Sequence, residues 1–91
     1  MPRYEEEKLR LIAGEALGEL MRATELHGPM RSGHEGYAVL KEEVDELWEM
    51  IKVNPKKLTE IQKAELKLKI REEAIQVAAM GMRFVLDVCG P

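Results

Sequence analysis

From Glu73 to Val88 the chain is apolar on nearly every side of a helical wheel. At about 100° per residue, Glu73 sits among Val77, Met80 and Phe84. The opposite arc holds Leu68, Ile75, Ala79, Met82 and Leu86. A helix that is apolar all round is a buried helix. A chain of 91 residues has little with which to bury it, since a domain of this size covers only about 60–65% of its unfolded surface. The pattern therefore predicts a single all-α domain over residues 1–91, a small antiparallel helical bundle. Its last helix is expected to be covered on two sides, one of them by another subunit in a homodimer or homotetramer. No strand signal competes with this: no two-residue alternation is sustained, and no hairpin turn joins β-branched runs.

Local punctuation divides the chain into helices. The first is expected from about Tyr4 to His27, with Glu5, Glu6 and Glu7 at its N-terminus and a stripe of Leu9, Ile12, Ala13, Ala16, Leu20 and Ala23. Gly14 and Gly18 leave room for a neighbouring helix. Gly28-Pro29 ends it, and His27 reads as a helix-terminal hydrogen-bonding group or a ligand. The short link through Arg31 predicts that helices one and two are adjacent and antiparallel. Ser32-x-x-Glu35 is a capping box, opening a second helix from about Gly33 to Val53 that Asn54-Pro55 stops. The final helix begins near Pro55 or near Thr59, where Thr59-x-x-Gln62 offers a start, and ends at Gly90-Pro91. Its pattern is compatible with one continuous helix or with a break between Lys69 and Glu72.

Carboxylates stand where core residues are expected. On the second helix Tyr37, Leu40, Val44, Leu47, Trp48 and Ile51 form one apolar arc, and Glu42, Asp45 and Glu49 lie away from it. Glu43 and Glu46, however, share a strip with Val39 and Met50. On the last helix Glu73 and Gln76 are polar groups on a buried face, followed on the same side by Met80, Arg83 and Asp87. Buried polar groups need partners, and an unpaired buried carboxylate costs several kcal/mol or shifts its pKa. Residues at i and i+3 share a helix face, so two such pairs facing one another make an oxygen-lined pocket. Oxygen ligands without a His or Cys cluster suit a hard cation, Mg²⁺ or Mn²⁺. Solvated acids at the edge of the seam are the alternative.

The run Glu42-Glu43-x-x-Glu46, a spacer, then Glu73-x-x-Gln76 resembles the E-E-x-x-E … E-x-x-D pattern of the MazG-like all-α nucleoside triphosphate pyrophosphohydrolases. The resemblance covers roughly residues 33–88. It implies a helical fold, Mg²⁺-dependent hydrolysis of a nucleoside triphosphate to the monophosphate and pyrophosphate, and metal-binding positions at Glu43, Glu46 and Glu73. Gln76 departs from the family's usual Asp; its amide oxygen can still ligate a cation, with one negative charge fewer. Glu42 is the candidate to orient or deprotonate the attacking water, with plain solvent exposure as the alternative. Arg83, Lys69 and Lys52 are candidate phosphate partners, though Arg83 has Asp87 within reach at i+4. Trp48 is a base-stacking candidate or a core residue, and His34 is a candidate base or sugar contact or an exposed histidine.

Charge is unevenly placed. Six acids and one lysine fall between Glu35 and Glu49, and seven basic residues with two acids between Lys52 and Arg71. Such a division suits a metal–phosphate substrate and equally a solvated surface with interhelical ion pairs. The net charge of −3 argues against nonspecific nucleic-acid binding. A lone cysteine, Cys89, excludes an intrachain disulfide and reads as a packing residue. No signal peptide and no membrane-spanning run is apparent, which sets a cytoplasmic location as the expectation. Two further classes stay open: a nucleotide- or metal-binding oligomer with little or no turnover, and a helical oligomer acting through protein–protein contact.

Overall fold

In the computed structural model the backbone is described for residues 3–90 and side chains for residues 5–90, so Pro91 of the expected Gly90-Pro91 stop lies outside the described residues. Three α-helices follow in order: α1 (Arg3–Leu26), α2 (Gly33–Ile51) and α3 (Glu60–Phe84). Their boundaries are set by local hydrogen bonds. Ser32 Oγ accepts from the Glu35 N–H (3.1 Å), and the Glu35 carboxylate reaches back to the N–H of Arg31 rather than to Ser32 itself. Asn54 accepts from the Lys56 N–H and starts a single 3₁₀ turn, Pro55–Lys57. Thr59 and Gln62 then form a complete reciprocal capping box at the start of α3 (2.9 and 3.1 Å). Each motif satisfies N–H groups that a helix start leaves unpaired. There is no break at Lys69–Glu72. The helix runs on through a π-helical turn, Val85–Cys89, and stops where Gly90 adopts φ +83°, a conformation open to glycine.

The long helix organises the other two. Ion pairs and hydrogen bonds join Glu15 to Arg71, Glu19 to Gln76, and the Gly28 carbonyl to Arg83, so α1 runs parallel to α3. Glu43 and Glu46 meet Glu73, and Gly36 meets Phe84, so α2 runs antiparallel to it. Both helices pack along α3 and scarcely touch each other. The expectation that α1 and α2 are adjacent is therefore corrected. The link between them is tied to the end of α3 instead. Met30 is 3% exposed, its N–H donates to Asp87 Oδ2 (3.0 Å), and Arg83 holds Gly28. That anchorage leaves a cleft between α1 and α2, floored by α3.

Packing also turns α2 from the orientation its apolar arc suggests. At Gly36, a Cβ would lie 2.6 Å from the Phe84 ring, so the absent side chain is what admits that ring. With Gly36 against Phe84, the half-buried face of α2 becomes Val39, Leu40, Glu43, Leu47 and Met50. Tyr37 (63% exposed), Val44, Trp48 (55%) and Ile51 are left outside. Gly14 and Gly18 meet nothing within 4 Å, so no helix among the described residues uses the space they leave. Leu9, Ile12 and Ala13 of the expected α1 stripe are exposed, while Ala16, Leu20 and Ala23 pack. Cys89 is exposed, not a packing residue.

The buried apolar residues are Ala16, Met30, Ala79 and Met80 among those described. The radius of gyration is 15.4 Å, against about 12 Å for a compact domain of this length. On α3, Ala79 and Met80 are buried, whereas Met82 and, in the π-helical turn that follows, Val85 and Leu86 are open to solvent within one chain. No helix among the described residues is long and apolar enough to cross a membrane.

Candidate metal centre and adjoining cleft

Glu43 and Glu46 project from α2 one turn apart, and Glu73 projects from α3 opposite them. One carboxylate oxygen from each lies within 4.8 Å of the others. Glu43 and Glu73 are half-buried and Glu46 is exposed, so the group sits at the rim of the α2–α3 interface. Glu73 Oε1 is fully enclosed and has no hydrogen-bond partner. Burial, followed by the proximity of Glu43 and Glu46, pushes the Glu73 carboxyl up to about 8. Three carboxylates crowded on a partly dry seam repel one another, and protonation of Glu73 relieves that repulsion.

A bound divalent cation relieves it too. Ligands at about 2.1 Å in octahedral geometry stand roughly 3.0 Å apart when adjacent and 4.2 Å when opposite. Oxygens already within 4.8 Å reach such spacing by small rotations of glutamate side chains. The all-oxygen donor set and the orphaned Glu73 oxygen both fit a hard cation of the Mg²⁺ or Mn²⁺ type.

Glu43 also lines the cleft between α1 and α2, a cavity of about 500 Å³. Gln76 and Met80 of α3 form part of the same lining, with Glu19 and Arg22 of α1, His27, Arg31 and Arg83. The structure thus brings Glu43, Glu46 and Glu73 together as a triad, and Glu43, Gln76 and Arg83 line one cleft. Gln76 is turned toward α1, where its Nε2 donates to Glu19 Oε2 (2.5 Å). Arg22 donates to the other oxygen of Glu19. Those two hydrogen bonds, Arg22 first, hold the Glu19 carboxyl below its ordinary range.

The cations and the other candidates are placed differently. Arg83 reaches the cleft but is 6% exposed and occupied: it donates to the Gly28 carbonyl and stands 3.6 Å from Asp87 Oδ2. Lys52 pairs with Glu49 (2.8 Å) on the surface. Lys69 lines a small pocket beside Val53 and Leu58, away from the cleft. Glu42 is exposed and shares a shallow groove on α2 with Glu46. His34 is exposed at the start of α2, and Trp48 stands in solvent rather than in the core.

Comparison with protein-family models, curated proteins and solved structures gives no match. What stands is a small all-α protein of three packed helices with an acidic triad at one interface.

Sequence reasoning missed Glu19, Arg22 and Arg31. Glu19 did leave a signal, lying between Ala16 and Ala23 on the packed side of α1. Arg31 sits in the link beside buried Met30, where no helical periodicity applies. Among the described residues no ion pair engages its guanidinium.

Proposed function

We propose that this chain is a Mg²⁺-dependent nucleoside triphosphate pyrophosphohydrolase of the MazG-like kind, working as a homo-oligomer. The observation that carries the reading is the convergence of Glu43, Glu46 and Glu73 around an oxygen with no partner, next to a cleft bearing arginines. A triphosphate carries about four negative charges, which a carboxylate cluster alone repels; a cation held by the triad would reverse that local field and stabilise charge on the leaving pyrophosphate. Arg31 is the cleft cation best placed to meet phosphate, because Arg22 and Arg83 are taken by Glu19, and by Gly28 and Asp87. In the reaction, water adds to the α-phosphorus, the bond to the bridging oxygen breaks, pyrophosphate departs, and the proton is lost to a base. Glu42, one turn before Glu46 and open to water, is our candidate to orient that water.

The oligomer is supported by what a single chain leaves uncovered. The outward row of α2 (Tyr37, Val44, Trp48, Ile51) and that of α3 with its π-helical turn (Met82, Val85, Leu86) are long apolar faces on a molecule with few buried residues. Contiguous exposed apolar rows are a mark of interfaces.

The direct test is a panel of canonical and modified ribo- and deoxyribonucleoside triphosphates with Mg²⁺ and Mn²⁺, read as pyrophosphate released. Turnover that disappears in Glu73→Ala supports the proposal. A second reading, a nucleotide- or metal-binding oligomer without turnover, is favoured by one feature: Gln76 donates its amide to Glu19 rather than adding a carboxylate to the triad. Thermal stabilisation by nucleotide without pyrophosphate release would establish it.

A further inference from the structure

Gln76 is the one position of the acidic pattern that carries an amide, and the structure places an acid from a different helix directly against it. An ionised carboxylate only accepts hydrogen bonds. Facing Glu19, Gln76 presents its amide nitrogen to α1, which leaves the amide oxygen out of that contact. The contact is held from both sides, because Arg22 donates to the second oxygen of Glu19 and so ties down the carboxylate that Gln76 meets. Glu19 and Gln76 line the cleft together with Glu43. A carboxylate at position 76 would sit in hydrogen-bond range of another carboxylate, and like charges that close disfavour one another strongly.

We propose that Glu19 on α1 is a positioning residue of the cation site: it holds Gln76 by the amide nitrogen, aims the amide oxygen away from α1 toward the Glu43 side of the cleft, and is the reason an amide rather than an acid stands at position 76. The helix that contributes nothing to the acidic pattern thus sets the geometry of its fourth member. This inference rests on the cation-site reading above and adds a residue and a helix to it. Outer partners that orient a ligand commonly change metal affinity by roughly 10- to 100-fold when removed, and Glu19 is assigned an effect in that range.

Mn²⁺ is the probe, titrated by calorimetry or electron paramagnetic resonance into the full chain. Glu19→Ala is expected to weaken Mn²⁺ binding by roughly 10-fold or more. Glu19→Gln, whose side-chain oxygen still accepts from Gln76, is expected to recover most of the affinity, which a role in folding alone would not separate from Ala. A second arm uses melting temperature and needs no ion. Gln76→Glu alone is expected to lower it, and the exchanged pair Glu19→Gln with Gln76→Glu to restore it, since a single charge and a hydrogen bond are then present again. If wild type binds Mn²⁺ and Glu19→Ala binds it equally well, the inference is overturned while the cation site stands. If Gln76→Glu is as stable as wild type, and the exchange brings no recovery, the contact itself is refuted. If wild type binds no Mn²⁺ at all, the cation reading falls and this inference with it.

Discussion

Replacing Glu73 by Gln isolates the strain in the acidic triad. Glu73 titrates near 8 in the folded chain against 4.5 for the free side chain. A folded-state pKa above the unfolded one means the folded protein binds the proton more tightly. That contribution to stability is complete below about pH 4.5 and is lost as pH rises toward 8. At pH 7 the full shift corresponds to roughly 3 kcal/mol relative to acid conditions. Glu46 is exposed, and water there screens the repulsion, so about half, roughly 1–2 kcal/mol, is the working figure. Gln keeps the shape, donates hydrogen bonds to Glu43 or Glu46, and never ionises. Without added cation, Glu73→Gln should melt about 5–10 °C higher than wild type at pH 8, with the gap closing below pH 5. Protein concentration must be held constant, because association also shifts melting. The same substitution should abolish stabilisation by Mg²⁺, and binding to wild type at pH 7 should release about one proton, measurable by calorimetry in two buffers. A wild-type melting temperature flat between pH 5 and 8, or a Gln variant less stable at pH 8, would refute the reasoning.

Three other outcomes follow from the packing and the cleft. Gly36→Ala should destabilise by about 1–3 kcal/mol despite its helix-forming gain, because the methyl meets the Phe84 ring and Met30 Sδ; chemical denaturation reads this, and an unchanged midpoint would count against the contact. Arg31→Ala should raise KM for a nucleoside triphosphate by roughly 10-fold while leaving Mn²⁺ affinity as it was, and an unchanged KM removes Arg31 from the phosphate site. Light scattering at micromolar concentration should give more than one subunit, and Leu86→Glu should shift it toward monomer with helical circular dichroism retained; a stable wild-type monomer refutes the assembly.

Features written locally in the chain were legible before the fold. Ser32 and Thr59 cap helices because their side chains reach N–H groups three residues on, an arrangement that spacing alone specifies. That Glu43 and Glu46 come close to Glu73 was legible for a related reason, since i, i+3 spacing puts the first two on one face of their helix. What escaped depends on register between distant segments. The wheel of α2 shows an apolar arc centred near Val44, but the glycine at 36 lets Phe84 approach and rolls the packed side toward Glu43. The parallel alignment of α1 on α3 is set by Glu15–Arg71, Glu19–Gln76 and Gly28–Arg83, contacts 55 to 57 residues apart along the chain. Arg83 illustrates the limit: its i+4 partner Asp87 was visible, whereas its hydrogen bond to the Gly28 carbonyl was not.

Diffraction from crystals soaked in Mn²⁺, with anomalous scattering recorded near the manganese edge, tests the cation site most directly. A peak is expected within about 2.2 Å of carboxylate oxygens of Glu43, Glu46 and Glu73, absent from crystals of Glu73→Gln. A wild-type map with no peak at the triad, or with Glu43 and Glu73 turned to opposite sides of the bundle, would contradict it.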